Sequence, residues 1–386
     1  MIIYNVTVCP VSRKPFYGYV RIQDGKIAEV SQGDPVQPDD EMTDGCGGFL
    51  YPGFIDIHTH MGFIGDGASE EGIDVNEGSD PVTPGLRAID GINYYDGYFR
   101  DAVASGVTSV VTGHGSLNVI AGSMIAVKTG AANLEDAYMG TVGMKFAFGE
   151  NPKSYADRDE APQTRSGIAA LIRETLYKAR QYMERKNSAE SPSDAPDFDL
   201  GYEALIPLLE GKIKAHMHCH RADDILTALR ICEEFSLKPL LIHCTEGYKI
   251  ADILAKKNAA AVAGPIICDR GKPEMAHAYL GNAAVLSKAG VPVAICTDHP
   301  EVSINFLLNS VAWCVKYGLP REDAIRAVTL TAAELAGIDD RTGSIDVGKD
   351  ADLVLLNGDP LDIMTDVVMT IVDGRIVYRA GSGKGA

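Results

Sequence analysis

Eight short apolar runs recur along the middle of the chain, separated by helix-like spans, and this pattern limits the architecture most strongly. The runs are GFIDIH (53–58), VTSVVT (107–112), SMIAVKT (123–129), GMKFAF (143–148), KIKAHMH (212–218), KPLLIHC (238–244), AAVAGPIIC (260–268) and VPVAICTD (291–298). Near-continuous apolar strands of this length suit a parallel sheet covered on both faces. Spans such as ADDILTALRICEEF (222–235) and KPEMAHAYLGNAAVLSKAG (272–290) supply the covering helices. The sequence therefore predicts an α/β fold, a closed (β/α)8 TIM barrel over residues 52–342. An open doubly wound sheet is the competitor. Its dinucleotide-binding form would need a G-x-G-x-x-G after the first strand, and none is there.

Both chain ends read differently from the middle. IIYNVTVC and YGYVRIQDGKIAEV open the chain, and DVVMTIVDGRIVYRAG closes it, each of the longer stretches with a D-G hairpin signal. Residues 1–51 and 343–386 are thus expected to meet in one small β-sandwich domain. A polar insertion at about 149–200 contains a helical stretch, GIAALIRETLYKARQYMERKN, and a Ser/Pro/Asp-rich end. If it emerges at the catalytic face it could act as a lid; otherwise it is a surface excursion. A second long loop, 61–84, follows the first histidine pair. The run at 324–337 is rich in helix formers and is expected to pack structurally.

Charge narrows the range of partners. The formal net charge of -18, from 53 acidic and 35 basic residues, opposes binding to nucleic acid or to an anionic membrane surface. No apolar stretch approaches the length of a membrane span, and no signal peptide opens the sequence, so the cytoplasm is the expected compartment. Eight scattered cysteines without a C-x-x-C pair read as free thiols.

The polar residues that end the apolar runs carry the chemistry. In Asp56-Ile57-His58-Thr59-His60, period two puts His58 and His60 on one side of an extended chain, where two imidazoles can hold one cation. His216, His218 and His220 alternate in the same way, and burying all three without partners would be costly. His243 ends LLIHC and Asp298 ends VAICTD; singly, a core histidine and a helix-capping aspartate would explain them. Their recurrence at the ends of strands one, five, six and eight matters more, because a barrel gathers those ends at one mouth. The fourth strand offers Glu150 as a bridging ligand, preferred because it needs no modification, and Lys145 as an alternative if carbamylated. His114, between two glycines, could contact substrate or serve the loop. Arg221 and Glu246 could bind charged substrate groups, although Arg221 could equally pair with Asp223 or Asp224.

PGFIDIHTH, the Thr297-Asp298 pair and the tail GSIDVGKDADLVLLNGDP together resemble the amidohydrolase superfamily, most closely its imidazolonepropionase-related members. The resemblance covers nearly the whole chain and implies a barrel beside a β-sandwich built from both ends. It implies one or two divalent metals, zinc foremost with manganese or iron as alternatives, held by His58, His60, His218, His243 and Asp298. His216 stays open as a replacement for His218, and Lys145 or Glu150 as the bridge. A homo-oligomer is compatible with the resemblance.

The expected reaction is hydrolysis of a cyclic or dipeptide-like amide in a small polar nitrogen-containing substrate. Water on the metal attacks, Asp298 shuttles the proton, and His220 or His114 steadies the oxyanion. Deamination of a nitrogen heterocycle is the alternative. A non-catalytic metal-binding protein would instead show closed coordination.

Overall fold

All eight apolar runs contribute buried strands, although two turn out shorter than the pattern suggests. The computed structural model describes residues 1–35, 41–65, 70–154 and 161–381. Strands β1 (Ile2–Val8), β2 (Phe16–Gln23), β3 (Lys26–Gln32), β4 (Met42–Asp44) and β5 (Phe49–Pro52) form the beginning of the chain. The middle supplies β6 (Phe54–Thr59), β7 (Val107–Gly113), β8 (Ile120–Lys128), β9 (Tyr138–Ala147), β10 (Lys214–Cys219), β11 (Pro239–His243), β12 (Ala260–Ala263) and β13 (Val293–Ile295). The end adds β14 (Leu353–Leu356), β15 (Val367–Val372) and β16 (Arg375–Arg379).

The two chain ends join in one sheet of order β16-β15-β14-β5-β1-β2-β3, with β4 on β1. Both D-G signals are hairpin turns. Asp24 and Gly25 (φ 49° and 75°) join β2 to β3, and Asp373 and Gly374 (φ 49° and 73°) join β15 to β16. Positive φ at both central residues matches the twist of the strands they connect.

The second sheet runs β13-β12-β11-β10-β9-β8-β7-β6, so chain order and spatial order coincide as in a TIM barrel. One strand departs from the expected all-parallel pattern: β8 is antiparallel to both β7 and β9. The connections leave no alternative. Residues 114–119 are too few for a crossover helix, and a single short helix, Leu134–Ala137, precedes β9.

The sheet closes through a seam between β6 and β13 rather than a regular ladder. On one side of the seam the backbone of the 324–337 segment is inserted: Ile55 N–H donates to Val328 O (2.8 Å) and Ile295 N–H to Ala327 O (3.1 Å). Toward the mouth, Asp298 N–H donates to His58 O (3.2 Å) and His60 N–H to His299 O (2.8 Å). Between them the buried Asp56 carboxylate accepts from the Thr297 hydroxyl (2.5 Å) and backbone N–H (3.1 Å). The structural reading of residues 324–337 holds, since Ala332, Ala333 and Ala336 pack among barrel-interior side chains such as Leu240 and Ile242.

The helix of the insertion is a wall element. Helix Arg165–Ser188 begins at the Thr164 N-cap and buries Ile168, Ile172 and Leu176 in the main core. It packs beside helices Leu200–Leu209 and Ala222–Phe235. Residues 155–160, also part of the expected lid, lie outside the described residues.

The small sheet is held to the barrel by a buried charge cluster. The fully buried Lys128, at the end of β8, meets Asp350 at 2.6 Å and Asp352 at 3.2 Å, and also pairs with Asp373. Asp350 is further paired with Lys26 and Arg341. Burial works to raise the Asp350 pKa, but hydrogen bonds from Lys128 and Lys26 and the nearby positive charges prevail and hold it at about 2. Because that value lies below the ordinary 3.8, the stabilisation is present above about pH 4 and is lost as pH falls toward 2. Lys128→Met strands these carboxylates and should cost about 3 kcal/mol or more in urea unfolding at neutral pH. The variant should also lose less additional stability than the parent between pH 4 and 2; equal unfolding midpoints would refute this account of the junction.

Candidate metal centre

The C-terminal ends of four barrel strands and the turn after β13 deliver the site. His58 lies on β6 with His60 just beyond it, Lys145 on β9, His216 and His218 on β10, and His243 at the end of β11. Parallel register sets His216 beside Lys145 and Cys219 beside His243. Asp298 follows β13 and faces the strand-one pair: its Oδ1 lies 3.5 Å from Nε2 of both His58 and His60. The period-two expectation for that pair is therefore met. His243 Nδ1 is 4.0 Å from Asp298 Oδ2, and Lys145 Nζ is 3.2 Å from His58 Nε2.

Two of these residues leave ordinary strand geometry. His243 (φ 68°) and Asp298 (φ 56°) adopt left-handed backbone that side chains other than glycine rarely tolerate. Alternation from the inward Leu240 and Ile242 would turn His243 away from the barrel interior. The left-handed turn takes it off that alternation and brings it to the mouth. Local strain of this kind is typical of sites that the surrounding structure over-determines.

Hydrogen bonds fix the rings. Nδ1–H of His60 donates to Gly113 O (2.8 Å) and Nδ1–H of His243 to Gly264 O (2.7 Å), leaving each Nε2 with its lone pair. Burial disfavours the imidazolium throughout. It drives the His60 pKa to about 3, and those of His58, His218, His220 and His243 well below the ordinary value. Burial pushes Asp298 up to about 7, against the opposing charge of Lys145.

Several buried atoms lack any hydrogen-bond partner, among them His58 Nδ1, His218 Nδ1, His220 Nε2 and Asp298 Oδ1. Each neutral imidazole keeps one lone pair, and such rings beside a carboxylate fit a divalent cation. Two groups of mutually close ligand atoms stand out among the described residues: His58, His243 and Asp298, and His218, His220 and His243, each within 4.8 Å. His243 belongs to both, so they describe neighbouring positions. All of these residues except the fully buried His58 line the floor of a cavity of about 1010 Å³, with Asn76, Ser116, Asn151 and Lys272 as polar wall and Ile64, Ile266 and Trp313 as apolar wall.

Other expected residues fall elsewhere. Glu150 joins neither ligand group. The chain turns at Gly149, and Glu150 Oε2 accepts from the Glu274 backbone N–H (3.2 Å) instead. Lys145 is fully buried with its Nζ beside His58, and burial lowers its pKa to about 8. His216 is fully buried at the Lys145 level with both ring nitrogens unpartnered. His114 is absent from the cavity wall; its ring meets Phe63 edge-on at 5.2 Å. Arg221 is half-exposed and paired with Asp223, while Glu246 accepts from Ala222 N–H (2.9 Å) at the start of a helix. Both line a separate shallow depression.

Sequence reasoning missed Glu274, whose buried carboxylate stands 3.7 Å from His220 Nε2 and 3.9 Å from His218 Nε2. The stretch KPEM that carries it reads as part of a long helix, yet it forms a single 3-10 turn, Pro273–Met275, and helix begins again at Asn282. The proline next to Lys272 was the available signal.

The amidohydrolase family model matches residues 212–378. A solved amidohydrolase from Thermotoga maritima MSB8 is 40% identical, covering 98% of this chain and 99% of that one, with a TM-score of 0.95. Amidohydrolase tasK of Hapsidospora irregularis is 28% identical over 94% of this chain, which spans 40% of that longer protein. An imidazolonepropionase from Geobacillus sp. (strain WCH70) is 25% identical over 94% of this chain and 91% of its own length. A prolidase complexed with N-methylphosphonate-L-proline shares the fold at 17% identity and a TM-score of 0.61. With close identity over the full chain and the barrel-mouth cluster in place, the chain belongs to the amidohydrolase family and is a hydrolytic enzyme acting on carbon–nitrogen bonds.

Proposed function

We propose that the protein hydrolyses a cyclic or dipeptide-like amide, with His58, His60, His218, His243 and Asp298 holding one or two divalent cations. The observation that carries this reading is the close grouping of His58, His243 and Asp298, with His218 beside His243, under an open cavity that the last three line. An open cavity separates a catalytic centre from a structural site, which closes its coordination. When bound, zinc (or manganese or iron) would lower the pKa of a coordinated water toward neutrality and polarise the scissile carbonyl. The imidazolone ring in the names of several relatives is itself a cyclic amide, which favours that substrate class.

Lys145, in preference to Glu150, is proposed as the bridging group. Its neutral amine adds to carbon dioxide, forming an N–C bond and releasing a proton, and the product is a carboxylate where the site needs one. A pKa lowered to about 8 by burial makes the neutral amine accessible near physiological pH.

Asp298 accepts a proton from the attacking water and returns it to the leaving nitrogen. Its buried, unpartnered Oδ1 beside His58 and His60 suits that shuttle. His220, on the cavity wall, donates through Nε2–H to the carbonyl oxygen as charge develops. His114, off the wall, takes no proton-transfer role in this scheme. The substrate is proposed to be small and polar, and the net charge of -18 opposes a nucleic-acid or anionic-membrane partner; no helix among the described residues is long and apolar enough to cross a membrane. The eight cysteines are free, which supports a reducing compartment such as the cytoplasm. Residues 1–51 and 343–386 are proposed as a β-sandwich domain beside a barrel of 52–342, since apolar side chains from both chain ends share one core.

Asp298→Asn should lower kcat on the cleaved amide by about 10²–10⁴-fold, and His58→Ala should reduce the bound metal. A panel of cyclic amides, dipeptides and aminopurines, assayed for ring opening, amine release and ammonia, tests the reaction; ammonia alone would turn the assignment to deamination. Protein purified without chelators that holds no metal, and gains nothing from zinc, manganese or iron, would exclude the mechanism. Intact mass at alkaline pH should show one carbon dioxide adduct that Lys145→Ala abolishes; parent protein lacking it would remove the proposed bridge.

A further inference from the structure

The loops after β9 and β12 clasp each other above the strand-five histidines. Glu150 N–H donates to Glu274 Oε2 (2.9 Å), and Glu274 N–H returns a bond to Glu150 Oε2 (3.2 Å). Lys272 Nζ reaches Asn151 Oδ1 (3.1 Å) and lies 3.2 Å from Glu274 Oε1. Gly149, with φ of +87°, makes the space for this contact. A Cβ there would sit 2.2 Å from Glu274 Oε2.

We infer that Glu274 is a positioning residue that fixes both strand-five histidines as Nε2–H tautomers, freeing His218 Nδ1 for a cation and making His220 a hydrogen-bond donor toward substrate. The Glu274 side chain is fully buried, and its Oε1 faces Nε2 of His220 at 3.7 Å and of His218 at 3.9 Å. At that separation a nitrogen lone pair pointed at a carboxylate is repelled, whereas an N–H is attracted. Two further contacts agree. His218 Nδ1 is buried without a partner, and His220 Nδ1 lies 2.8 Å from the Thr245 hydroxyl, which can donate to it. One contact opposes the assignment: the Asn151 amide gives one hydrogen to Ser116 Oγ (2.7 Å) and can aim the other at His218 Nε2 at the long distance of 3.5 Å, where the full charge of the Glu274 carboxylate has to outweigh a neutral donor. His60 and His243 use backbone carbonyls to hold the proton on Nδ1. His218 thus presents the opposite nitrogen, set by the charge of a carboxylate 3.9 Å away where His60 and His243 are set by hydrogen bonds to carbonyls.

The inference rests on the metal-binding reading only for its affinity arm. Long-range proton–nitrogen NMR of full-length protein labelled at histidine nitrogens reads each tautomer directly, with and without zinc. The parent should show Nε2–H for His218 and His220. Glu274→Leu should lose that preference and weaken binding of one zinc by about 10–100-fold in chelator competition, while Glu274→Gln, which keeps an acceptor, should fall between. Gly149→Ala, which displaces the carboxylate without removing it, should reproduce the loss, and it decides the matter if the leucine variant does not fold. An Nδ1–H tautomer at His218 in the parent, or displaced-carboxylate variants with parental tautomers and zinc affinity, would overturn the inference. Parent protein that binds no zinc would sink the metal reading instead, and its zinc-free spectra would still judge Glu274.

Discussion

The Asp56–Thr297 contact is the constraint on which the site depends. β6 and β13 form no regular ladder, so the barrel is completed by side chain and inserted backbone. Asp56 reaches across the seam to Thr297, one residue before Asp298, and also accepts from His58 N–H (3.3 Å). One buried carboxylate therefore sets the spacing between the strand-one histidines and the strand-eight aspartate. Burial raises its pKa to about 7, against the bonds from Thr297 and His58. The seam thus carries a real desolvation cost, offset by donors that also position the ligands. A regular ladder would close the barrel at less cost, but it would not hold Asp298 in its left-handed conformation.

Dryness at the mouth has a chemical consequence. A cation needs neutral imidazoles, and solvent-exposed histidines would compete for protons near neutrality. Burying the rings removes that competition while leaving several nitrogens without protein partners. Such orphaned atoms are destabilising in an ordinary core. Here they mark where the fold gives up stability for a ligand, and the left-handed His243 and Asp298 mark the same place in the backbone.

Much of this was legible in the sequence because the residues sit where periodicity and strand order are strong. His58 and His60 obey the two-residue repeat, and every apolar run supplied a strand. What the sequence leaves unread has identifiable causes. The antiparallel β8 was hidden because an apolar run carries no direction; only the short connections at 114–119 and 129–137 betrayed it. The Glu150 preference rested on the chemistry of the free side chain, whereas Gly149 turns the chain and sends that carboxylate to the Glu274 backbone. Lys145 needs modification to offer a carboxylate, and its strand position sets its Nζ 3.2 Å from His58 Nε2, a proximity that only the assembled barrel reveals. Glu274 comes from a distant loop, and no local pattern announces that pairing.

Two fully buried lysines show how context assigns function to one residue type. Lys128 suffers desolvation, but Asp350, Asp352 and Asp373 more than compensate, so its pKa rises and it remains an ammonium. Lys145 suffers the same desolvation with an imidazole at 3.2 Å and Asp298 as its main charge partner, and its pKa falls to about 8. The first lysine locks the small sheet to the barrel because protonation is its only accessible state. The second lies near the boundary between two states, in a cluster of groups that attract a cation. A buried lysine held at that boundary is costly to keep for packing alone. Its place on β9, facing the strand-one histidines, is therefore better explained by chemistry at the mouth than by the stability of the wall.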